Sequence, residues 1–288
     1  QTATIVFGGS NGSNYANTES YNGTAFTEVN DLNTARSGNE GMGTSTAALS
    51  AGGYTSTEVT NTETWNGSSW TEVNELNTAR HDATAAGTYT AGLVIAGVPY
   101  KANVESWDGT NWTEVGDLNT ARGYLGKNGA GSQTAALAVA GYYPANKANV
   151  ESWDGSSWTE VNDMNTAREA NPGSGAIPTT ICAGGLVGST SKGETELFDG
   201  TSWTETSDLN TNRYGGGCIG TSASSLVFGG DPPSPTYTAN TEAWDGTSWT
   251  EVANLATARG WTNGFGSSLS AIAAGGYTTT QTAVVEEW

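Results

Sequence analysis

The chain has 288 residues, 29 of them acidic against ten basic, for a formal charge of −19. So negative a surface repels phosphate and argues against a nucleic-acid partner, and no apolar run approaches the ~20 residues that span a membrane. A single histidine, His81, argues against a histidine-rich metal centre or a catalytic triad.

Gly, Thr, Ser and Asn abound and helix formers are scarce, an all-β profile with many tight turns. From the N-terminus, an apolar run at Ile5 to Phe7 ends on Gly8-Gly9, and Glu19-Ser20-Tyr21-Asn22-Gly23 follows a loop. The second feature then recurs, in whole or part, as Glu-x-aromatic-(Asp/Asn)-Gly-x-x-Trp-Thr-Glu. Its first aromatic falls at Tyr21, Trp65, Trp107, Trp153, Phe198, Trp244 and Trp288, spaced 42–46 residues apart. A period in the forties made of short strands and turns predicts a radial array of β-blades.

The third unit shows the parts. Leu93 to Ala96 is a short strand ending at Gly97, and Asn103 to Trp107 is the next. Asp108-Gly109 predicts a hairpin, both residues tolerating positive φ, and Trp112 to Val115 is the return strand. Trp107 and Trp112 project from one face and are expected to meet across that hairpin or share a layer between blades. Ten of the eleven tryptophans occupy these two positions. Trp65, Trp70, Trp107, Trp112, Trp153, Trp158, Trp203, Trp244 and Trp249 are therefore read as scaffold rather than as a sugar-stacking surface. Burying each ring contributes roughly 2–3 kcal/mol.

Each unit continues through a Leu-Asn-Thr-Ala-Arg-like segment to Arg36, Arg80, Arg122, Arg168, Arg213 or Arg259, which are all the arginines present. A residue used only at one repeat position is a structural part. Each is expected to bond loop carbonyls or a repeat carboxylate, from the set Glu19, Glu63, Glu105, Glu151, Glu196 and Glu242. The small residues that follow suit a crowded innermost strand. Cys182 and Cys218 sit in slots held by small or apolar residues elsewhere and are expected as free buried thiols. No calcium-loop pattern occurs, so neither metal nor cofactor is expected.

The glycine-ended strand, the two aromatics and the arginine together resemble Kelch repeats over nearly the whole chain. Two departures stand out: only four residues separate Trp107 from Trp112, and Gly97 and Gly141 stand alone where a pair is usual. The resemblance implies a Kelch-type, all-β, seven-bladed β-propeller of four-stranded antiparallel blades. The blades span approximately 1–32, 36–76, 80–118, 122–164, 168–209, 213–255 and 259–288 of one domain. Only six return strands and six arginine segments accompany seven glycine-ended strands, so the first and last blades are each expected to lack one strand. Such open edges are sticky unless another segment or subunit covers them.

Function is sought where the units differ. The loops 10–16, 54–61, 98–102, 142–148, 186–193, 231–239 and 277–281 vary most, and they hold seven of eleven tyrosines and five of seven prolines, Pro235 among them. Tyr54, Tyr100, Lys101, Tyr142, Tyr143, Lys147 and Tyr237 are the candidate binding residues on this loop face. The Trp-Asp-Gly-Thr-Ser-Trp-Thr-Glu-Val wording is similar to Kelch-like proteins encoded by marine bacteriophages. That similarity implies a non-enzymatic module in a virion, tail fibre or extracellular setting. Its expected partners are a host-surface glycan or protein, other virion proteins, or its own copies, without membrane insertion. A purely structural decoration subunit and a secreted glycan-active enzyme are the alternatives. Kelch-type oxidases need histidine and tyrosine ligands together, and His81 stands alone.

Overall fold

The computed structural model describes residues 3–126, 131–233, 237–280, 282 and 284–288; Pro235 and Gln281 lie outside them. The described residues form 26 strands in seven antiparallel sheets and no helix. Five sheets have four strands. The first has three (Thr4–Phe7, Thr18–Tyr21, Phe26–Val29), as does the last (Asn263–Ser267, Ser270–Ala274, Val285–Glu287). This is a seven-bladed β-propeller whose first blade has no inner strand and whose last has no outer strand among the described residues, as the repeat count predicts. Tyr21, Phe26 and Val6 pack on Ile272, Ala274 and Val285, so the ring closes by side-chain contact.

In the third blade the strands are Thr84–Thr88, Ala91–Ile95, Val104–Trp107 and Trp112–Glu114, from axis to rim. Leu93, Val94 and Ile95 are fully buried because neighbouring blades cover both faces of that strand. A two-residue turn joins the inner pair. A Cβ on Gly87 would lie 2.3 Å from the Ala91 carbonyl oxygen, so the blade's own turn requires this glycine, rather than crowding at the axis. At the rim only Gly109 has positive φ. Asp108 serves differently: its carboxylate accepts the Thr110 and Asn111 N–H groups at 2.8 and 2.7 Å.

Trp107 opposes Trp112 in register, with ring centroids 5.2 Å apart. The five sister pairs, Tyr21–Phe26 and Phe198–Trp203 included, lie at 4.9–5.5 Å. Each pair packs against the preceding blade, as Trp107 and Trp112 do against Met42, Leu49 and Leu76. The inner indole is satisfied within its own blade: Trp65, Trp107, Trp153 and Trp244 donate to turn carbonyls at 2.9–3.1 Å. The outer indole reaches across the seam. Trp70, Trp112 and Trp249 donate to the Thr18, Thr62 and Thr195 hydroxyls at 2.9, 3.0 and 2.9 Å. Trp158 and Trp203 face Val104 and Val150 instead, and their buried N–H groups have no partner among the described residues.

The six arginines are buried, and each pairs with the glutamate of its own blade. Arg36–Glu63 and Arg259–Glu286 are close pairs, and Arg80–Glu105, Arg122–Glu151, Arg168–Glu196 and Arg213–Glu242 lie at 2.5–3.0 Å. This corrects the expected acceptor set. Glu19 is not a member, because the first blade has no arginine segment, and Glu286 takes the sixth place. Glu105 also accepts the Asn77 N–H at 2.6 Å, the Asn77 side chain at 2.9 Å and the Thr78 N–H at 3.1 Å. Charges this deeply buried are tolerable only with every oxygen satisfied.

Candidate binding face

The arginine hinge of each blade meets the glycine end of a neighbouring strand. Gly52 and Gly53 are both left-handed, at φ 64° and 123°. The Gly53 N–H donates to the Arg80 carbonyl at 2.8 Å, and a Cβ on Gly52 would come within 2.6 Å of that oxygen. In the single-glycine units Ala96 and Ala140 hold the first position at φ 58°. The corresponding bonds are longer there, 3.4 Å for Gly97 and 3.1 Å for Gly141. A methyl group is thus admitted by letting the hinge back away.

The residue after each arginine bridges to a variable loop: Ser37 to Tyr54, His81 to Val98, Gly123 to Tyr142, Glu169 to Leu186, Tyr214 to Asp231 and Gly260 to Tyr277. The next residue is left-handed in all six hinges, at φ 45–61°: Gly38, Asp82, Tyr124, Ala170, Gly215 and Trp261. Four of these are not glycine, an uncommon conformation for a bulky side chain. Main-chain bonds link them around the ring. Asp82 donates to Gly38 at 2.9 Å, Gly215 to Ala170 at 3.1 Å and Trp261 to Gly215 at 2.6 Å. Ser10, Tyr54, His81, Asp82 and Trp261, from four blades, line one shallow depression of about 460 Å3.

The expected binding residues fall into separate groups on this face. Tyr100 stacks on Tyr143 (4.4 Å, 16°) and also meets Tyr142 at 5.9 Å and Tyr124 at 6.5 Å. Tyr54 packs on His81 at 5.1 Å. Tyr237 packs edge-on against Tyr277 at 5.5 Å and covers Gly260. Lys101 and Lys147 form no ion pair among the described residues, and their carbonyls hold the Arg122 and Arg168 N–H groups. Tyr124, Tyr214, Asp82 and Trp261 join the face unforeseen. Their signal was present in the sequence: the two residues after each arginine vary, while the five before it barely do.

The segment 186–193 is not the loop expected. Thr179–Val187 and Thr190–Phe198 run past a register shift between Ala183 and Gly185 as one long two-stranded ribbon. Neighbouring loops are tied sideways. Asn14 donates to the Tyr54 and Thr55 carbonyls at 2.9 and 2.6 Å, Asn146 to the Leu186 carbonyl at 2.8 Å, and Ser191 to the Asp231 carbonyl at 3.0 Å.

The face combines phenol rings with carboxylates. Burial and a 2.7 Å hydrogen bond to Asp231 push the Tyr214 hydroxyl up to about 12. Burial, with Asp82 and Glu169 nearby, raises Tyr124, and burial raises Glu169. Tyr214 and Tyr124 are therefore neutral near pH 7. Such a surface offers flat apolar rings beside hydrogen-bond donors and acceptors, the chemistry that holds sugars or protein loops. No protein-family model matches this chain, and no curated protein matches it either.

Proposed function

We propose that this protein is a non-enzymatic recognition module of Kelch type, carried on a phage particle or its tail, that binds a host-surface glycan or protein through the loop face. The observation that supports this reading most is the cluster of Tyr100, Tyr124, Tyr142 and Tyr143, four aromatic side chains gathered on a laterally tied surface, three of them (Tyr100, Tyr124 and Tyr143) at places where no sister unit has tyrosine. Tyrosine offers contact area at low entropic cost, and a rigid support avoids ordering the loops on binding. The test is the combined variant Tyr100→Ala, Tyr142→Ala and Tyr143→Ala, measured for adsorption to host cells, on glycan arrays and against host surface proteins. Binding should fall by roughly tenfold or more with the melting temperature little changed. Undiminished binding removes this face as the recognition surface. Open edges at the last and first blades favour a second reading, a structural subunit that engages its own assembly.

A further inference from the structure

The seam between the last and first blades differs from the other six. At each of those six, one contiguous stretch leaves the outer strand of a blade and enters the inner strand of the next. It carries an outer-strand aromatic, a leucine or methionine, a threonine and an arginine, as in Trp70, Leu76, Thr78 and Arg80. No described stretch does this at the last seam, and the groups it would satisfy are present there without it.

Three separate observations mark the vacancy. Glu19 holds the register place of Glu63 and Glu105, yet its carboxylate has no partner among the described residues, whereas theirs are closed by two main-chain N–H groups, an asparagine and an arginine. At the adjoining outer edge of the last blade, Thr241 of the sixth blade is 3% exposed and its hydroxyl has no partner among the described residues, although Thr18, Thr62 and Thr195 at the same place each receive an indole N–H from the outer strand of the following blade. Trp288 is 42% exposed, whereas Trp65, Trp107, Trp153 and Trp244 are 0–3% exposed. A depression of about 490 Å3 lies between the last and first blades, lined by Glu19, Tyr21, Phe26, Val285 and Glu287.

We propose that this seam is a binding site for one further polypeptide segment of the repeat's own sequence: a Trp-Thr-Glu strand, a Leu-Asn-Thr-Ala-Arg hinge and a glycine-containing inner strand. Its indole donates to the Thr241 hydroxyl and its ring covers Trp288. Its hinge amides and guanidinium close on Glu19. Its two strands add to the free edges of Val285–Glu287 and Thr4–Phe7, a β-augmentation with side-chain specificity. All six occupied seams show the arginine of such a segment paired with the blade's glutamate, and the segments of Trp70, Trp112 and Trp249 also carry the indole–threonine bond. The site is independent of the loop face, so its failure and that of the recognition reading are separable.

The probe is a labelled synthetic peptide of residues 66–88, titrated with the 288-residue chain by fluorescence anisotropy. Saturable one-to-one binding is expected. Arg80→Ala in the peptide, or Glu19→Gln in the protein, should weaken it roughly tenfold or more. Glu19→Gln should leave the melting temperature of the free protein unchanged, because that carboxylate has no partner to lose. A second arm appends residues 66–88 after Trp288 through a short Gly-Ser linker. A rise in melting temperature that Glu19→Gln removes supports the site even if the free peptide binds too weakly to saturate. Neither binding nor a rise, or an effect indifferent to Glu19→Gln, overturns the proposal. So does a homodimer sealed through this seam that the peptide does not dissociate.

Discussion

Replacing Val150 with threonine should stabilise this protein, against the usual sign for a core position. The two side chains have the same shape, and burying a hydroxyl without a partner costs about 1–3 kcal/mol. Here the partners already exist. The Trp203 N–H packs against this strand unsatisfied, and at the matching seams Trp112 and Trp249 donate to Thr62 and Thr195 at 3.0 and 2.9 Å. Those hydroxyls in turn donate weakly, at 3.4 Å, to the carbonyl two residues back, a place held here by Ala148. One buried donor gains an acceptor, for a net gain of about 0.5–1.5 kcal/mol, or about 1–5 °C in melting temperature. Calorimetry or denaturant unfolding of Val150→Thr measures it, and Val104→Thr beneath Trp158 should behave alike. Val139→Thr, buried in the same cluster where sister units carry only apolar residues, is the control and should lose about 1–3 kcal/mol. If Val150→Thr loses as much as the control, the indole–threonine latch contributes nothing and the reasoning fails.

Glu105→Ala strands Arg80 and three further donors in the interior, and should cost about 3–5 kcal/mol by chemical denaturation; Glu19→Ala, with no partner to strand, should stay within about 0.5 kcal/mol, and equal losses would refute the internal comparison. Main-chain N–H groups hold the rim aspartates Asp108, Asp199 and Asp245 below the usual carboxylate range, and the Ser156 hydroxyl with the Ser157 and Ser156 N–H groups holds Asp154 at about 2. Folded-state values below the unfolded ones mean stability that is present above pH ~4 and lost as pH falls toward ~2. Replacing all four by asparagine should flatten that acid slope in a pH series of melts, since Asn66 accepts the same two N–H groups at 2.9 and 3.0 Å. Cys182 is fully buried, so it should not react with a disulfide reagent at pH 8 until the chain unfolds; Cys218, expected as buried, is half-buried, and with burial pushing its thiol up to about 12 it should react slowly, so prompt native-state labelling of Cys182 would contradict this.

The period, the glycine ends and the paired aromatics carried the architecture, down to Trp107 facing Trp112, because strand alternation and a short hairpin leave few registers. The sequence also marked arginine as a structural part. It did not reveal which glutamate each arginine takes, since every unit offers the same carboxylate and only the closed ring decides that Arg36 meets Glu63. The Trp112–Thr62 bond was hidden for the same reason: it joins residues 50 apart through a seam that exists only after packing. Departures from the glycine pair became intelligible once Ala96 and Ala140 were seen in left-handed conformation. On the loop face the tyrosines were visible because they gather in the loops that differ most between units. Tyr124 and Trp261 were not, because the segments after the arginines read as small-residue filler. The run from Leu186 to Gly193 reads as a loop by its glycines, yet main-chain pairing carries it on as a ribbon.

The ties among neighbouring connections have one further consequence. Asn14, Asn146 and Ser191 supply side chains to some of them, but the bridges from hinge to loop are main chain at both ends: Tyr54 meets Ser37, Tyr142 meets Gly123 and Tyr277 meets Gly260 through their backbones alone. Exchanging those side chains leaves the ties intact. Selection can therefore redraw the outward text of this rim, letter by letter, without touching the machinery that keeps the wheel round.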